Sequence, residues 1–238
     1  MGYPYPLTHR SFVFNSASPD QLQLIEHTDA FPDVSGRTPV LAVGSNQSPR
    51  QLARKFKGAG WGLVPTSRVH LENFDTVYSA HVTGYGSIAA TLHPSPGTRV
   101  ALYVNWLTGA QLEAMHKTEL SSENYAYEKL DNVNLRVEAG PKLTAVNLYT
   151  GQRGAYAPEG DVIPLAEVPA EGRRHAALSQ LEILTRVQRH LAAGMTLEEF
   201  VHAAINDTER RQVFIQVLEK TSHRIKITTG TPTVPARA

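Results

Sequence analysis

Pro39-Val40-Leu41-Ala42-Val43-Gly44-Ser45-Asn46-Gln47-Ser48-Pro49-Arg50-Gln51 passes from an apolar run to a helix start with only a glycine and small polar residues between. Val40 to Val43 read as a buried strand, because β-branched and aliphatic residues bounded by turn formers suit a sheet interior. Ser48 has the chemistry of an N-cap, Pro49 fits the first helical position, and Gln51 can complete a capping box on Ser48. The expected product is a tight strand–loop–helix corner with free backbone N–H groups from Gly44 to Asn46. Orphan amides and a helix dipole favour negative charge, so such a corner suits a carboxylate or phosphate.

Outward from the corner, residues 1–37 are rich in Pro, Ser and Asp and read as an irregular N-terminal arm or a partly packed N-terminal extension, with a short helix expected over 21–27. Downstream of a helix at 49–57 the apolar period becomes two. Strands are expected at 67–71, 75–83, 89–93 and 99–105, with turns at Asn73, Gly84-Tyr85-Gly86 and Pro94-Ser95-Pro96-Gly97. Closely spaced strands of this kind imply a small, strongly bent sheet or barrel. Thr108 with Gln111 opens a second helix that runs to Glu119, and strands follow at 125–137 and 144–149. After Gly160 the pattern is helical. An amphipathic helix is expected over 174–193, with Leu178, Leu181, Leu184 (or Thr185), Val187 and Leu191 on one stripe. Thr196 with Glu199 starts another, and Asp207 a third, whose apolar face is Val213, Phe214, Val217 and Leu218. Thr221 to Ala238 reads as a solvated tail. The expected organisation is therefore an α+β domain over 38–160, a helical extension over 161–220 packed on it, and a tail over 221–238.

Composition excludes several classes. Of 238 residues, 23 Lys and Arg stand against 22 Asp and Glu, and no basic block exists to track phosphates, so nucleic acid is not an expected partner. Cysteine is absent, which removes disulfides, thiolate metal sites and a cysteine nucleophile. The ten histidines include no His-Glu-x-x-His or His-x-His arrangement, and no metal is expected. Neither Ser45 nor Ser87 lies in a Gly-x-Ser-x-Gly elbow. No stretch has the length of a membrane span and residues 1–20 lack the apolar run of a signal peptide, so a cytoplasmic protein is expected.

Glu119 carries the chemistry. On a helix, Leu112, Met115 and Glu119 share the inward stripe, while Glu113 points outwards. A carboxylate held in the interior must be paired or have its pKa raised by desolvation, and in the second case it can accept and return a proton. General acid–base catalysis of that kind contributes about 10²–10⁴ in rate. The alternative is that Glu119 pairs with a nearby Arg or Lys, or marks a fraying helix end.

The order of these features resembles the γ-glutamylcyclotransferase-like family over about residues 38–150. Gly44-Ser45-Asn46 matches the family's Tyr-Gly-Ser-Asn type corner, with Val43 where the family has Tyr. Met115-His116-Lys117-Thr118-Glu119 stands in for its Leu-Asp-x-x-Glu-Gly segment, with Leu120 in place of the glycine. Ala89-Ala90-Thr91-Leu92-His93-Pro94-Ser95-Pro96-Gly97-Thr98-Arg99-Val100 is similar to its run of small and β-branched residues before a Pro/Gly turn. The resemblance implies a small bent α+β barrel with flanking helices. It also implies Glu119 as the catalytic acid/base, and a substrate-binding set of Val43, Gly44, Ser45, Asn46 and Tyr125. The substrate would be a small molecule carrying a carboxylate, a γ-glutamyl amide or peptide. It would cyclise to 5-oxoproline without a cofactor, since the ring closure is intramolecular. Two further readings stand beside it, a catalytically silent binding or interaction module on the same fold and an amide transferase or hydrolase. The leucine stripe over 174–193 serves packing or the seam of a homodimer.

Overall fold

The structure, a computed structural model, describes residues 3–26 and 30–224. Two short strands come first, β1 (Phe12–Asn15) and β2 (Gln23–Leu24), then β3 (Thr38–Ala42). A 3-10 turn (Ser45–Gln47) leads into α1 (Pro49–Lys55). The long strands β4 (Leu63–Val82) and β5 (Ile88–Leu107) form a hairpin, followed by α2 (Gly109–Glu119), β6 (Tyr125–Val137) and β7 (Leu143–Gly151). The chain ends in β8 (Ala155–Tyr156), β9 (Ala170–Glu171), the helices α3 (Gln180–Leu191), α4 (Leu197–Asn206) and α5 (Thr208–Glu219), and β10 (Ser222–His223).

The fold is the expected α+β class, with five strands closing on themselves. β4 pairs with β6, β6 with β7, β7 with β3, β3 with β5, and β5 returns to β4. Only β3 and β7 run parallel. The C-terminal end of β3, the β4–β5 turn, the start of β6 and the end of β7 therefore meet at one end of the barrel.

The turns expected at Asn73 and at 94–97 are instead bulges inside two continuous strands. Glu72 pairs with Arg99 and Phe74 with Pro94, so residues 95–98 of β5 stand opposite Asn73 alone. Asn73 has φ 64° and Gly97 φ 85°, left-handed conformations that Asn and Gly tolerate best. The Gly97 amide donates to Asn73 Oδ1 at 3.0 Å, joining the two irregularities. The Ser95 and Thr98 hydroxyls meet at 2.7 Å within the bulge. The hairpin bends here rather than ending.

Of the two alternatives for the N-terminal segment, the structure shows the packed extension. β1 pairs with β4 from Phe12↔Thr66 to Asn15↔Leu63 and buries Phe12 and Phe14. β2 lies within the helix expected over 21–27, whose last residue falls outside the described ones. Ser222 and His223, expected in a solvated tail, pair with β8; residues 225–238 lie outside the described ones. The core does not divide at residue 160: Ile183, Val187, Phe200 and Phe214 share one apolar cluster with Val69, Tyr78 and Leu102 of the barrel. The stretch 161–179 is extended and irregular, and α3 begins only at its Ser179 cap. α3 buries Ile183, Leu184 and Val187 but leaves Leu181 60% exposed, so the stripe is rotated from the expected one. In α5 the buried face is Phe214, Ile215 and Leu218, with Val213 exposed. The boxes at Thr108 with Gln111 and at Thr196 with Glu199 form as expected.

One ion pair locks the irregular stretch to the barrel. Asp75, 2% exposed, receives Arg173 through both Nε and Nη2, and Arg173 also donates to the carbonyls of Leu165 and Val168. Removing the arginine leaves a buried carboxylate without its partner, which costs about 3–5 kcal/mol. Arg173→Ala is expected to lower the unfolding free energy by that order in urea titration, and a loss below about 1 kcal/mol would contradict the assigned role.

Candidate active site

The loops at the meeting end enclose a cavity of about 470 Å³, a volume ordinary for a small-molecule site. Val43, Gly44, Ser45, Asn46, Glu119 and Tyr125 all line it, so the six residues that the resemblance assigned to the site reach one space. At the corner, the N–H groups of Ser45 and Asn46 open a 3-10 turn and have no partner inside that turn. Ser48 does not cap α1 with its side chain. Its hydroxyl donates to the Pro6 carbonyl at 3.0 Å, and the expected capping box with Gln51 does not form.

Glu119 is the last residue of α2 and Lys55 the last of α1. Their side chains are 15% and 6% exposed and form an ion pair, with Lys55 Nζ also bonded to the Thr118 hydroxyl. A helix C-terminus carries partial negative charge, which disfavours a carboxylate there, and the lysine offsets that penalty. Asn46 Nδ2 donates to the same Glu119 oxygen at 3.0 Å, fastening the acid to the corner. Glu119 is therefore ion-paired, as the alternative role has it, and the pairing lies at the corner rather than away from it. Asn46 Oδ1 is buried with no hydrogen-bond partner among the described residues. An acceptor beside a carboxylate is the chemistry that receives an ammonium or amide N–H.

Much of the remaining wall is aromatic, and Arg54 lines it too. Tyr3, Tyr5, Tyr85, Tyr125 and Tyr149 line the cavity. Burial first, and the Glu119 carboxylate second, push the Tyr125 and Tyr149 phenols well above their ordinary range, so both act as neutral hydroxyls. The Tyr149 hydroxyl meets His116 Nδ1 at 2.8 Å. Tyr85 belongs to the β4–β5 turn, a hairpin turn that is also a wall of the cavity. Its Gly86 neighbour abuts Val201 and Ile205, which braces that turn on α4. His81 packs on Tyr125 with ring centroids 6.1 Å apart. Burial, followed by the charges of Arg153 and Arg211, depresses its pKa to about 4. Among the described residues no three His, Asp or Glu side chains group as metal ligands, and no helix is long and apolar enough to cross a membrane.

Sequence reasoning missed Lys55 and Tyr3, and read Tyr85 only as part of a turn. A basic residue in the last turn of a helix was the only local signal for Lys55. Tyr3 is 5% exposed, and its hydroxyl accepts the Ala90 N–H at 2.9 Å. A Cβ on Gly44 would lie 2.6 Å from that hydroxyl, so the glycine is needed for the close approach of Tyr3.

No family model matches the sequence, and no curated protein does. Solved structures similar to this chain include a γ-glutamyl cyclotransferase, 14% identical with a TM-score of 0.40 over 76% of this chain and 99% of that one. A γ-glutamyl cyclotransferase from yeast, specific to glutathione, is 12% identical with a TM-score of 0.34 over 79% and 98%. A protein from Arabidopsis thaliana is 20% identical with a TM-score of 0.38 over 50% and 71%. These are what the chain is similar to; its chemistry rests on the side chains of its own cavity.

Two measurements check this geometry. A histidine held neutral at about 4 contributes stability that is fully present above the ordinary pKa of 6.5 and is lost as pH falls through 4. The unfolding free energy is expected to decline over that window, and to decline less steeply in His81→Gln; equal slopes would remove the assignment. Gly44→Ala is expected to cost about 1–3 kcal/mol by crowding Tyr3. In a Tyr3→Phe background, where the clashing oxygen is gone, the same substitution should cost markedly less than in the wild type.

Proposed function

We propose that the cavity is the active site of a γ-glutamylcyclotransferase-like enzyme, which converts a γ-glutamyl amide or peptide to 5-oxoproline and a free amine. The observation that carries the reading is the 3.0 Å bond from Asn46 to Glu119, because it joins an amide-rich corner and a single carboxylate within one small-molecule cavity. The order of the Gly44-Ser45-Asn46 corner and the Glu119 helix, similar to that family's, supports it independently.

In this reading the substrate's α-carboxylate lies on the amides of Ser45 and Asn46, and its α-ammonium lies between Glu119 and Asn46 Oδ1. Glu119 takes a proton from the ammonium. The freed nitrogen attacks the γ-carbonyl carbon, forming the ring C–N bond and a tetrahedral oxyanion. The protonated carboxyl then gives its proton to the departing nitrogen as the original amide C–N bond breaks, and the ring nitrogen's surplus proton passes through Glu119 to the released amine, which leaves as an ammonium and restores the carboxylate. Atoms and charge balance with the substrate alone. The protein's contribution is near-attack geometry and the relay of two protons in turn. Lys55 holds the Glu119 carboxylate in place.

The buried Lys55–Glu119 pair also favours a second reading, in which the cavity binds a zwitterion and does not turn it over. Incubation with a panel of γ-glutamyl dipeptides and γ-glutamyl amines distinguishes the two: 5-oxoproline is expected from at least one, and none from any would leave only the binding reading. Glu119→Gln is expected to lower that rate by about 10²–10⁴. It also leaves the Lys55 ammonium without its counter-charge and so destabilises the fold. The double variant Lys55→Met with Glu119→Gln should regain stability but not turnover. Recovery of turnover in that double variant would remove Glu119 from the chemistry.

A further inference from the structure

The N-terminal segment closes one side of the cavity. The Pro6 carbonyl is held by Ser48, the Tyr5 ring lies 5.5 Å from the Arg50 guanidinium, and Tyr3 reaches the wall beside Gly44. The Tyr3 hydroxyl uses a lone pair to accept the Ala90 N–H. Its own proton has no acceptor among the described residues, although the group is buried and faces the cavity. A buried donor left unmade is costly, so a buried hydroxyl in this position is completed by whatever occupies the space in front of it. Burial raises the Tyr3 pKa well above the ordinary phenol value, which keeps that proton in place.

We propose that Tyr3 is a substrate-binding residue, whose hydroxyl donates a hydrogen bond to the same substrate carboxylate that the Ser45 and Asn46 amides receive. Val43, the residue before the corner, brings no hydroxyl, and the close contact at Gly44 brings one from forty-one positions upstream. The site is therefore assembled from the barrel and from a strap that precedes it. This rests on the carboxylate placement proposed above, and it is tested by binding rather than turnover so that the two can fail separately.

The probes are L-norvaline, which carries the α-ammonium and α-carboxylate with no side-chain carbonyl to cyclise, and L-norvalinamide, its carboxamide. By calorimetry at pH 7 the wild-type protein is expected to prefer the carboxylate at least tenfold, and Tyr3→Phe to shrink that preference about tenfold, as loss of one hydrogen bond to a charged group implies. A merely structural role would lower both affinities together and leave the ratio alone. An unchanged ratio, or a wild-type protein that binds neither probe, overturns the proposal. Independently of folding in the variant, the Tyr3 ¹³Cζ resonance of wild-type protein should move with L-norvaline and not with L-norvalinamide; an equal response to both also overturns it.

Discussion

The bend in the β4–β5 hairpin is the constraint on which the architecture hangs. Two strands of twenty residues each would run straight past a domain of this size unless something turned them. Asn73 and Gly97, both left-handed and joined by one hydrogen bond, supply the turn without breaking the pairing. On the far side of the bend, Tyr78 and Val77 lie against the chain returning from residue 161. On the near side, Thr66 to Glu72 still pair with β5 and complete the ring through β6. One hairpin thus serves as barrel wall at one end and as the platform for the C-terminal helices at the other, which is why a single core runs through both.

Closure of the ring also dictates the electrostatics of the cavity. It brings the C-terminal ends of α1 and α2 together, two places where partial negative charge accumulates. A carboxylate alone would be disfavoured there, and Lys55 makes it tenable. The same arrangement keeps Glu119 out of bulk water and leaves Asn46 as its second partner. The surrounding phenols stay neutral through burial, and His81 is discharged at physiological pH, so these rings beside the charged pair are polar without being ionised.

Much of this was legible in the sequence because the signals are local. The strand before Gly44, the box of Thr108 with Gln111, the box of Thr196 with Glu199 and the Asp207 cap each depend on residues within one turn of each other. The misread features are those where one local signature serves two structures. Asn, Pro and Gly permit a bulge for the same reason they permit a turn, so Asn73 and 94–97 were indistinguishable from hairpin ends. Ser48 carries the signature of a cap, yet its hydroxyl is claimed by a carbonyl forty-two positions away, which no window around Ser48 contains. Lys55 and Glu119 are separated by sixty-four positions, and their pairing exists only because the ring closes.

The diversion of Ser48 links fold to site. A helix as short as α1 can forgo a side-chain cap because Pro49 already presets its first turn and needs no amide partner. That frees the Ser48 hydroxyl to hold Pro6, and with Pro6 held, Tyr5 can stack near Arg50 and Arg54 while Tyr3 enters beside Gly44. A bulkier residue at 44 would meet the Tyr3 oxygen, and a true cap at 48 would release the strap. The small residues of the corner are therefore set by the segment that lies over them as much as by any ligand beneath, and the two demands coincide in one glycine.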